Sequence, residues 1–513
     1  MSNFMTAMKS EMDNRISITE NGAVGYATTG KKLLDMNFAV ASLRKASEQE
    51  IVNKFMDAYY ENPMLAIKWL FYLVDCREGL GERRTFRVIM NYLAEQHTDI
   101  AIAVIKLIPE YSRWDNLITL IECGNKEVVN EALLTIKTQL ALDKMNMRED
   151  KPISLLAKWM PSENASSKDT KRRATIIRNS LEWDERRYRK TLSALRKYLD
   201  VVECKMSAKE WKNIDYSTVP SKANIKYSNA FMRNDEERRR AYLESLKKGE
   251  TKINAGVLFP HDVVHKYGTN DYWRHNIKSY DEALEQMWKS LKDIGNIENT
   301  IVVADGSGSM TITVDNNCSV TALEVANSLA VYCGERCSGE FKDKYITFSN
   351  RPQLVDFTNA NSLHDKLEIA LRHNEVANTN IEAVFELILN TAINNHMTQE
   401  EIPQNVLILS DMEFDTCVRS NYGRINTILF DTIANKYAQY GYKLPRLVFW
   451  NLASRTGTIP VKQNDMGVAL VSGFSANIMK LVLNGELDPY KALVKELNST
   501  RYKAVEDAVS TLV

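Results

Sequence analysis

Asp305-Gly306-Ser307-Gly308-Ser309 sets three short oxygen-bearing side chains at alternate positions. Alternation lets Asp305, Ser307 and Ser309 point toward one place, and the two glycines let the backbone turn tightly between them. A second carboxylate, Asp411, ends the apolar run Val406-Leu407-Ile408-Leu409-Ser410, and a third hydroxyl, Thr379, lies in the polar stretch Asn378-Thr379-Asn380. Two carboxylates and three hydroxyls make a hard-oxygen set, which suits Mg²⁺, Mn²⁺ or Ca²⁺ rather than zinc. With so few carboxylates, a bound ion keeps spare Lewis acidity and can accept an oxygen from a partner's carboxylate or phosphate. That is chemistry for binding rather than catalysis.

Other readings of these residues are weaker. Asp305 and the serines can cap the turn that follows them. An aspartate ending a first strand can be a phosphatase nucleophile, but such enzymes need a second carboxylate two residues on, where this chain has Ser307. A phosphate-gripping loop needs Gly-Lys-Ser/Thr after its glycines, and none is present. No nucleophile comes with its base, so the sequence predicts no enzymatic activity. His261 and His265 lie four apart with no third ligand nearby and read as packing or capping residues.

The elements that must position these residues change along the chain. Residues 1–45 show no sustained period and read as a lead-in segment. Residues 46–298 read as a helical-repeat region. Ile51, Phe55 and Tyr59 step at helical spacing, as do Leu65, Trp69 and Leu73, then Phe86, Ile89, Met90 and Leu93, then Leu117, Leu120 and Ile121. Breaks at Asn62-Pro63, Gly79-Leu80-Gly81 and Pro109 predict antiparallel helices of about 12 to 15 residues, as in an α-solenoid. From Asn299 the period becomes that of strands. Short apolar runs near 300–304, 344–348, 353–357, 406–410, 446–450 and 468–471 alternate with helical stretches. This predicts a mostly parallel sheet covered on both faces, over residues 299–490, with a helical tail at 491–513. Ligands of such sheets bind beyond the carboxyl ends of the strands, where Asp305 and Asp411 fall.

Lys+Arg and Asp+Glu balance at 66 each, so net charge names no partner. The distribution is more telling. Residues 151–250 carry 24 Lys and Arg against 14 Asp and Glu. Basic clusters such as Lys171-Arg172-Arg173 and Arg186-Arg187 with Arg189-Lys190 alternate with Trp159, Trp183, Tyr188, Tyr198, Trp211, Tyr216 and Tyr227. Arg77, Arg83, Arg84 and Arg87 beside the glycine turn, with Arg113, form a second basic group. Basic side chains neutralise nucleic-acid phosphates and aromatics stack on unpaired bases, although a charged helix is also simply a solvated face. The seven scattered cysteines, without a Cys-x-x-Cys pair, read as reduced thiols of a cytoplasmic protein. The start of the chain lacks the apolar run of a secretory signal. The most apolar early stretch, Met64 to Cys76, is too short to span a bilayer.

Asp-x-Ser-x-Ser after a first strand, Thr-Asn before a mid-domain helix and Ser-Asp after a later strand resemble the metal-ion-dependent adhesion site of von Willebrand factor type A domains. The resemblance covers about residues 299–490. Met412 stands where many such domains have glycine. A helical region followed by such a domain resembles the Ro autoantigen, in which a helical ring, the TROVE module, precedes the A domain. The chain looks closer still to a Ro-like family of microbes, plants and phages, on the segments 76–84, 111–115, 450–452 and 467–473. The resemblance implies an α + α/β protein, a HEAT-like helical ring followed by a doubly wound A-type domain. It implies a ribonucleoprotein component whose ring binds structured RNA with single-stranded ends. It also implies Mg²⁺ (or Mn²⁺ or Ca²⁺) held by Asp305, Ser307, Ser309, Thr379 and Asp411. The alternative is an adaptor that binds no RNA and uses the cation on an acidic residue of a protein partner.

Overall fold

Strands of the C-terminal part read as unbroken apolar runs because both faces of their sheet are covered. The computed structural model describes residues 16–268, 277–316, 318–348, 351–374, 380–415, 429–461, 467–483 and 486–513. Two short strands, β1 (Ile16–Ile18) and β2 (Val24–Tyr26), form an antiparallel pair. The main sheet has six strands: β3 (Thr300–Asp305), β4 (Lys344–Phe348), β5 (Gln353–Asp356), β6 (Asn405–Ser410), β7 (Arg446–Asn451) and β8 (Val468–Ser472). Their order is β5-β4-β3-β6-β7-β8, parallel except for β5. Each of these strands was legible in the sequence to within a residue or so at either end.

The chain runs from β3 outward to β4 and β5, then returns to β6 on the other side of β3. The order therefore reverses between β3 and β6, which is where open α/β sheets bind ligands. Val303 pairs with Ile408 and Ala304 with Leu409, so the register brings Asp305 level with Ser410. Helix Ala322–Gly334 is buried along its whole length against this sheet. A reciprocal cap starts it: the Thr321 hydroxyl accepts from the Glu324 N–H, and the Glu324 carboxylate accepts from the Thr321 N–H.

The chain forms two compact units, and their limits differ from those expected. The sheet unit comprises residues up to Asn62 together with Ala255–Glu496; the helical unit comprises Pro63–Asn254 with Leu497–Val513. Residues 16–45 are thus no mere lead-in. Tyr26 and Ile459 exchange backbone hydrogen bonds, the Thr19 hydroxyl donates to the Phe414 carbonyl, and Asn451 donates to the Phe38 carbonyl. Helix Lys32–Phe38 packs on β8. Helices Glu48–Glu61, Pro260–Tyr267 and Glu282–Lys289, expected in the helical region, also belong to the sheet unit. Periodicity reveals that a segment is helical and which face is apolar, but not what covers that face.

In the helical unit, Pro63–Val74 is buried at every position from Leu65 onward, Lys68 included. The Lys68 ammonium is satisfied by the Asn498 amide oxygen at 2.8 Å and by the Glu506 carboxylate. Residues from Leu497 on therefore complete this unit rather than forming a separate tail, and Lys503–Val509 packs on Pro63–Val74 and Thr98–Val104. The glycine turn is required by close approach. A Cβ on Gly79 would lie 2.0 Å from the Tyr72 carbonyl oxygen, which accepts from the Leu80 N–H. Helix lengths range from four residues to the 23 of Lys126–Arg148, broader than expected. Pro109 sits in the first turn of helix Ile108–Tyr111, where a missing N–H costs nothing.

Candidate functional site

Asp305 and Asp411 follow one another in space because β3 and β6 are parallel neighbours. Both are essentially inaccessible to solvent, as is Ser307, while Ser309 is half-buried. Asp305 accepts from the Ser307 N–H at 2.9 Å and, through its other oxygen, from the Ser410 hydroxyl at 2.6 Å. The Ser307 and Ser309 hydroxyls lie 3.0 Å apart, and Ser309 donates in turn to Asp411. Residues Ser307 and Ser309 thus link the two carboxylates, the Ser307 N–H at the Asp305 end and the Ser309 hydroxyl at the Asp411 end. Among the expected ligands, Asp305, Ser307, Ser309 and Asp411 are brought together, and Thr379 lies outside the described residues.

Burial, and then the charge of Asp411, push Asp305 above the usual carboxylate range. Burial raises Asp411 too, against the Ser309 hydrogen bond and the Arg455 charge. Two carboxylates held in a dry place at a sheet's carboxyl end are relieved by a proton or by a positive charge. Among the described residues no group of three or more His, Cys, Asp and Glu is placed to hold a metal ion. Two carboxylates and two serine hydroxyls are an all-oxygen set, and it fits a hard divalent cation.

Met412 adopts a positive φ of 63°, the conformation that glycine takes freely. It is held there by burial and by its N–H, which donates to the Ser410 hydroxyl at 2.9 Å.

Three contributors escaped the sequence reading. Ser410 bridges to Asp305, as described. Glu413, fully buried, accepts from the N–H groups of Glu20, Arg455 and Thr456 and so pins the loop after β7. Arg455 places one guanidinium nitrogen 3.1 Å from Asp411 and another 2.7 Å from Glu20. Position alone was a usable signal: Arg455 lies just beyond the carboxyl end of β7, the strand beside β6. His265, by contrast, bonds Glu324 and Ser319 through its two ring nitrogens, and His261 packs on Phe474. Neither is arranged as a ligand pair.

The basic residues of the helical unit divide sharply. Arg83, Arg87 and Arg113 surround Asp115, at 4.0 Å, 2.9 Å and in direct contact, respectively. Burial, followed by the neighbouring Arg113 charge, holds Arg83 below the usual arginine range; burial does the same for Arg87 despite Asp115. The Arg113 guanidinium also stacks 4.1 Å from the Trp159 ring centre. Arg172 and Arg173 both bind Glu122, at 2.8 and 2.6 Å. Arg77 is exposed and donates to the Glu110 carbonyl, and Arg84 and Lys171 are exposed. On helix Glu185–Tyr198, Arg186, Arg189 and Lys190 are all exposed at spacings of three and four, one face of the helix. Arg187, also exposed, lies over Trp183 at 4.8 Å.

Several other basic and aromatic residues of 151–250 are structural. Arg239 is fully buried among Tyr216, Phe231 and Tyr242. Arg196 donates to the carbonyls of Ala157 and Met160, and Tyr188 to that of Pro161.

Fold and site together define a protein with a helical unit and a mixed-sheet α/β unit that carries two buried carboxylates at its topological switch point. Residues 19–113 and 135–297 match the family described as Domain of unknown function (DUF2828), and residues 299–510 match Domain of unknown function (DUF7788). The chain is 30% identical over 508 residues to "Uncharacterized protein L728" of Acanthamoeba polyphaga mimivirus, spanning 92% of this chain and 85% of the relative. The chain belongs to the DUF2828 family. The boundary between the two matched regions falls at the start of β3, not at a limit of either compact unit.

Proposed function

We propose that this chain is a non-enzymatic binding protein whose sheet unit holds a divalent cation and presents it to an anionic group. Asp305, Ser307, Ser309 and Asp411 would hold the ion, and Thr379 is the fifth ligand that the von Willebrand A resemblance implies. When bound, the ion would supply an open coordination position for a carboxylate or phosphate oxygen. The chain's own residues keep the site dry and fix the serine hydroxyls in place. The observation that carries this reading is the serine relay between two buried carboxylates at the β3–β6 switch point. The strand order, with its single antiparallel strand at the β5 edge, supports an A-type domain. Titrating Mn²⁺ or Mg²⁺ into the full chain tests the site: saturable binding that Asp305→Ala removes is expected. No binding in the intact protein would sink the reading.

The helical unit, in the same proposal, binds RNA as a Ro-like protein does. Arg83, Arg87 and Arg113 support this, because three guanidiniums share the single carboxylate of Asp115. Arg186, Arg189 and Lys190 add an exposed basic helix face. The test is fluorescence anisotropy with structured RNA bearing a single-stranded 3′ tail. Affinity should fall about 10³-fold between about 50 and 200 mM salt as phosphates regain their counterions. The pairing of Arg172 and Arg173 with Glu122 favours the alternative, a cation-dependent protein adaptor. Absence of RNA binding at low salt would select that alternative. Among the described residues no helix is long and apolar enough to cross a membrane, and a cytoplasmic location is part of the proposal.

A further inference from the structure

Asp411 already has a cation: the guanidinium of Arg455, 3.1 Å from its carboxylate. The Arg455 backbone is fixed, since its N–H donates to buried Glu413 at 2.8 Å. Its side chain is less constrained. It is about a quarter exposed, and its second partner, Glu20, is half-exposed. Arg455 also lines a cavity of about 340 Å³ in the sheet unit, bounded by Ser42, Lys45, Lys54, Ile312, Asn451 and Thr456 among others. Two acids, Asp35 and Glu50, stand on that wall, and Asp35 accepts from the Thr28 and Thr29 hydroxyls and the Thr29 N–H. Lys45 and Lys54 make no ion pair among the described residues. The cavity is thus hydroxyl-bearing, and with the Arg455 side chain turned into it three cationic groups, Arg455, Lys45 and Lys54, face two carboxylates, Asp35 and Glu50.

Building on the cation reading, we infer that Arg455 is a tethered counter-ion shared between the cation site and this cavity, and that the cavity takes a small oxyanion of the phosphate type. A divalent ion and a guanidinium repel one another when they share one carboxylate. Entry of the ion therefore moves the Arg455 side chain off Asp411 toward the cavity. There it joins Lys45 and Lys54 and completes an anion site. An anion in the cavity, in turn, draws Arg455 away and opens Asp411. By linkage each ligand strengthens the other by the same factor.

The experiment is a Mn²⁺ titration of the full chain at fixed ionic strength, plotted against free Mn²⁺, with and without inorganic phosphate. The variants are Arg455→Met, Arg455→Gln and Lys54→Met, each checked for folding by its melting temperature. Removing the competing guanidinium should tighten Mn²⁺ binding about tenfold in Arg455→Met and Arg455→Gln. Phosphate should tighten Mn²⁺ binding several-fold in the wild type, and this effect should vanish in both Arg455 variants. In Lys54→Met the phosphate effect should shrink while binding of Mn²⁺ alone is unchanged. Unchanged or weaker Mn²⁺ binding in both Arg455 variants would overturn the counter-ion. A phosphate effect that survives in those variants, or is absent from the wild type, would overturn the anion site. Both results leave the cation reading intact. If the wild type binds no Mn²⁺ at all, the cation reading falls and this inference falls with it.

Discussion

Buried aspartates are handled differently in the two units. In the helical unit Asp75 and Asp143, like the buried Lys68, each meet several answering groups. Lys68 meets Glu506 and Asn498, and Asp143 accepts from Gln139 and twice from Ser154. Asp75 accepts from Arg501 at 2.7 Å and from the N–H groups of Arg77 and Glu78. In the sheet unit two aspartates of like sign are buried together, linked through Ser307 and Ser309, with one arginine reaching Asp411. A paired charge fixes a fold, whereas two adjacent carboxylates leave a deficit that a ligand can fill. The same type of residue, a buried aspartate at the end of an apolar segment, is therefore a structural pin in one unit and a candidate site in the other.

Asp75→Ala would break this comparison most forcefully. It leaves Arg501 only the looser Glu110 pair at 3.7 Å and frees two backbone donors, so it should destabilise the helical unit by about 3 kcal/mol in chemical denaturation. A loss below about 1 kcal/mol would mean that the pair is not structurally important. Replacing both Arg83 and Arg87 by alanine should weaken RNA binding at least about tenfold, with a salt slope shallower by roughly two. An unchanged slope would place the RNA elsewhere.

Asp305→Asn tests the other half. In EDTA it should stabilise the sheet unit by about 1 kcal/mol, because it removes one of two like charges. It should also abolish stabilisation by Mg²⁺. A large loss of stability in EDTA would show that Asp305 is a pin like Asp75.

Acid sharpens the contrast from the helical side. Hydrogen bonds from Lys503 and Lys68 hold Glu506 down, at about 2. A depressed carboxylate contributes its stability fully above the ordinary value of about 4.3 and loses it as pH falls toward 2. Hydrogen exchange in the helix around Lys68 should therefore rise over that window, and Glu506→Gln should flatten the rise. The smallest effect is expected on the surface. Arg240→Ala, which loses an exposed pair with Glu236, should change stability by less than about 0.5 kcal/mol.

Much of the sheet unit was legible because its signals are local. β3 and β6 are apolar runs that end in Asp305 and in Ser410-Asp411, and a parallel sheet presents such ends on one side. The helices of the other unit were legible from period, as in Leu65, Trp69 and Leu73, all buried as expected. The basic surface was less so. Nothing in Arg238-Arg239-Arg240 distinguishes the exposed Arg240 from the fully buried Arg239, because the difference lies in the rings of Tyr216, Phe231 and Tyr242.

Chain order alone determined the alternation of strand and helix, the oxygen-bearing residues at the strand ends and the glycine turns, since each depends on neighbours a few positions away. Only the tertiary structure decided that residues 16–62 complete the sheet unit and that the last residues, from Leu497, complete the helical one. It alone placed Arg455 on Asp411, 44 positions away, and Glu413 under the loop that carries Arg455. Hydrophobic period specifies which face of a segment must be covered, while the partner that covers it, and the charges that meet across the join, follow from packing of the whole unit.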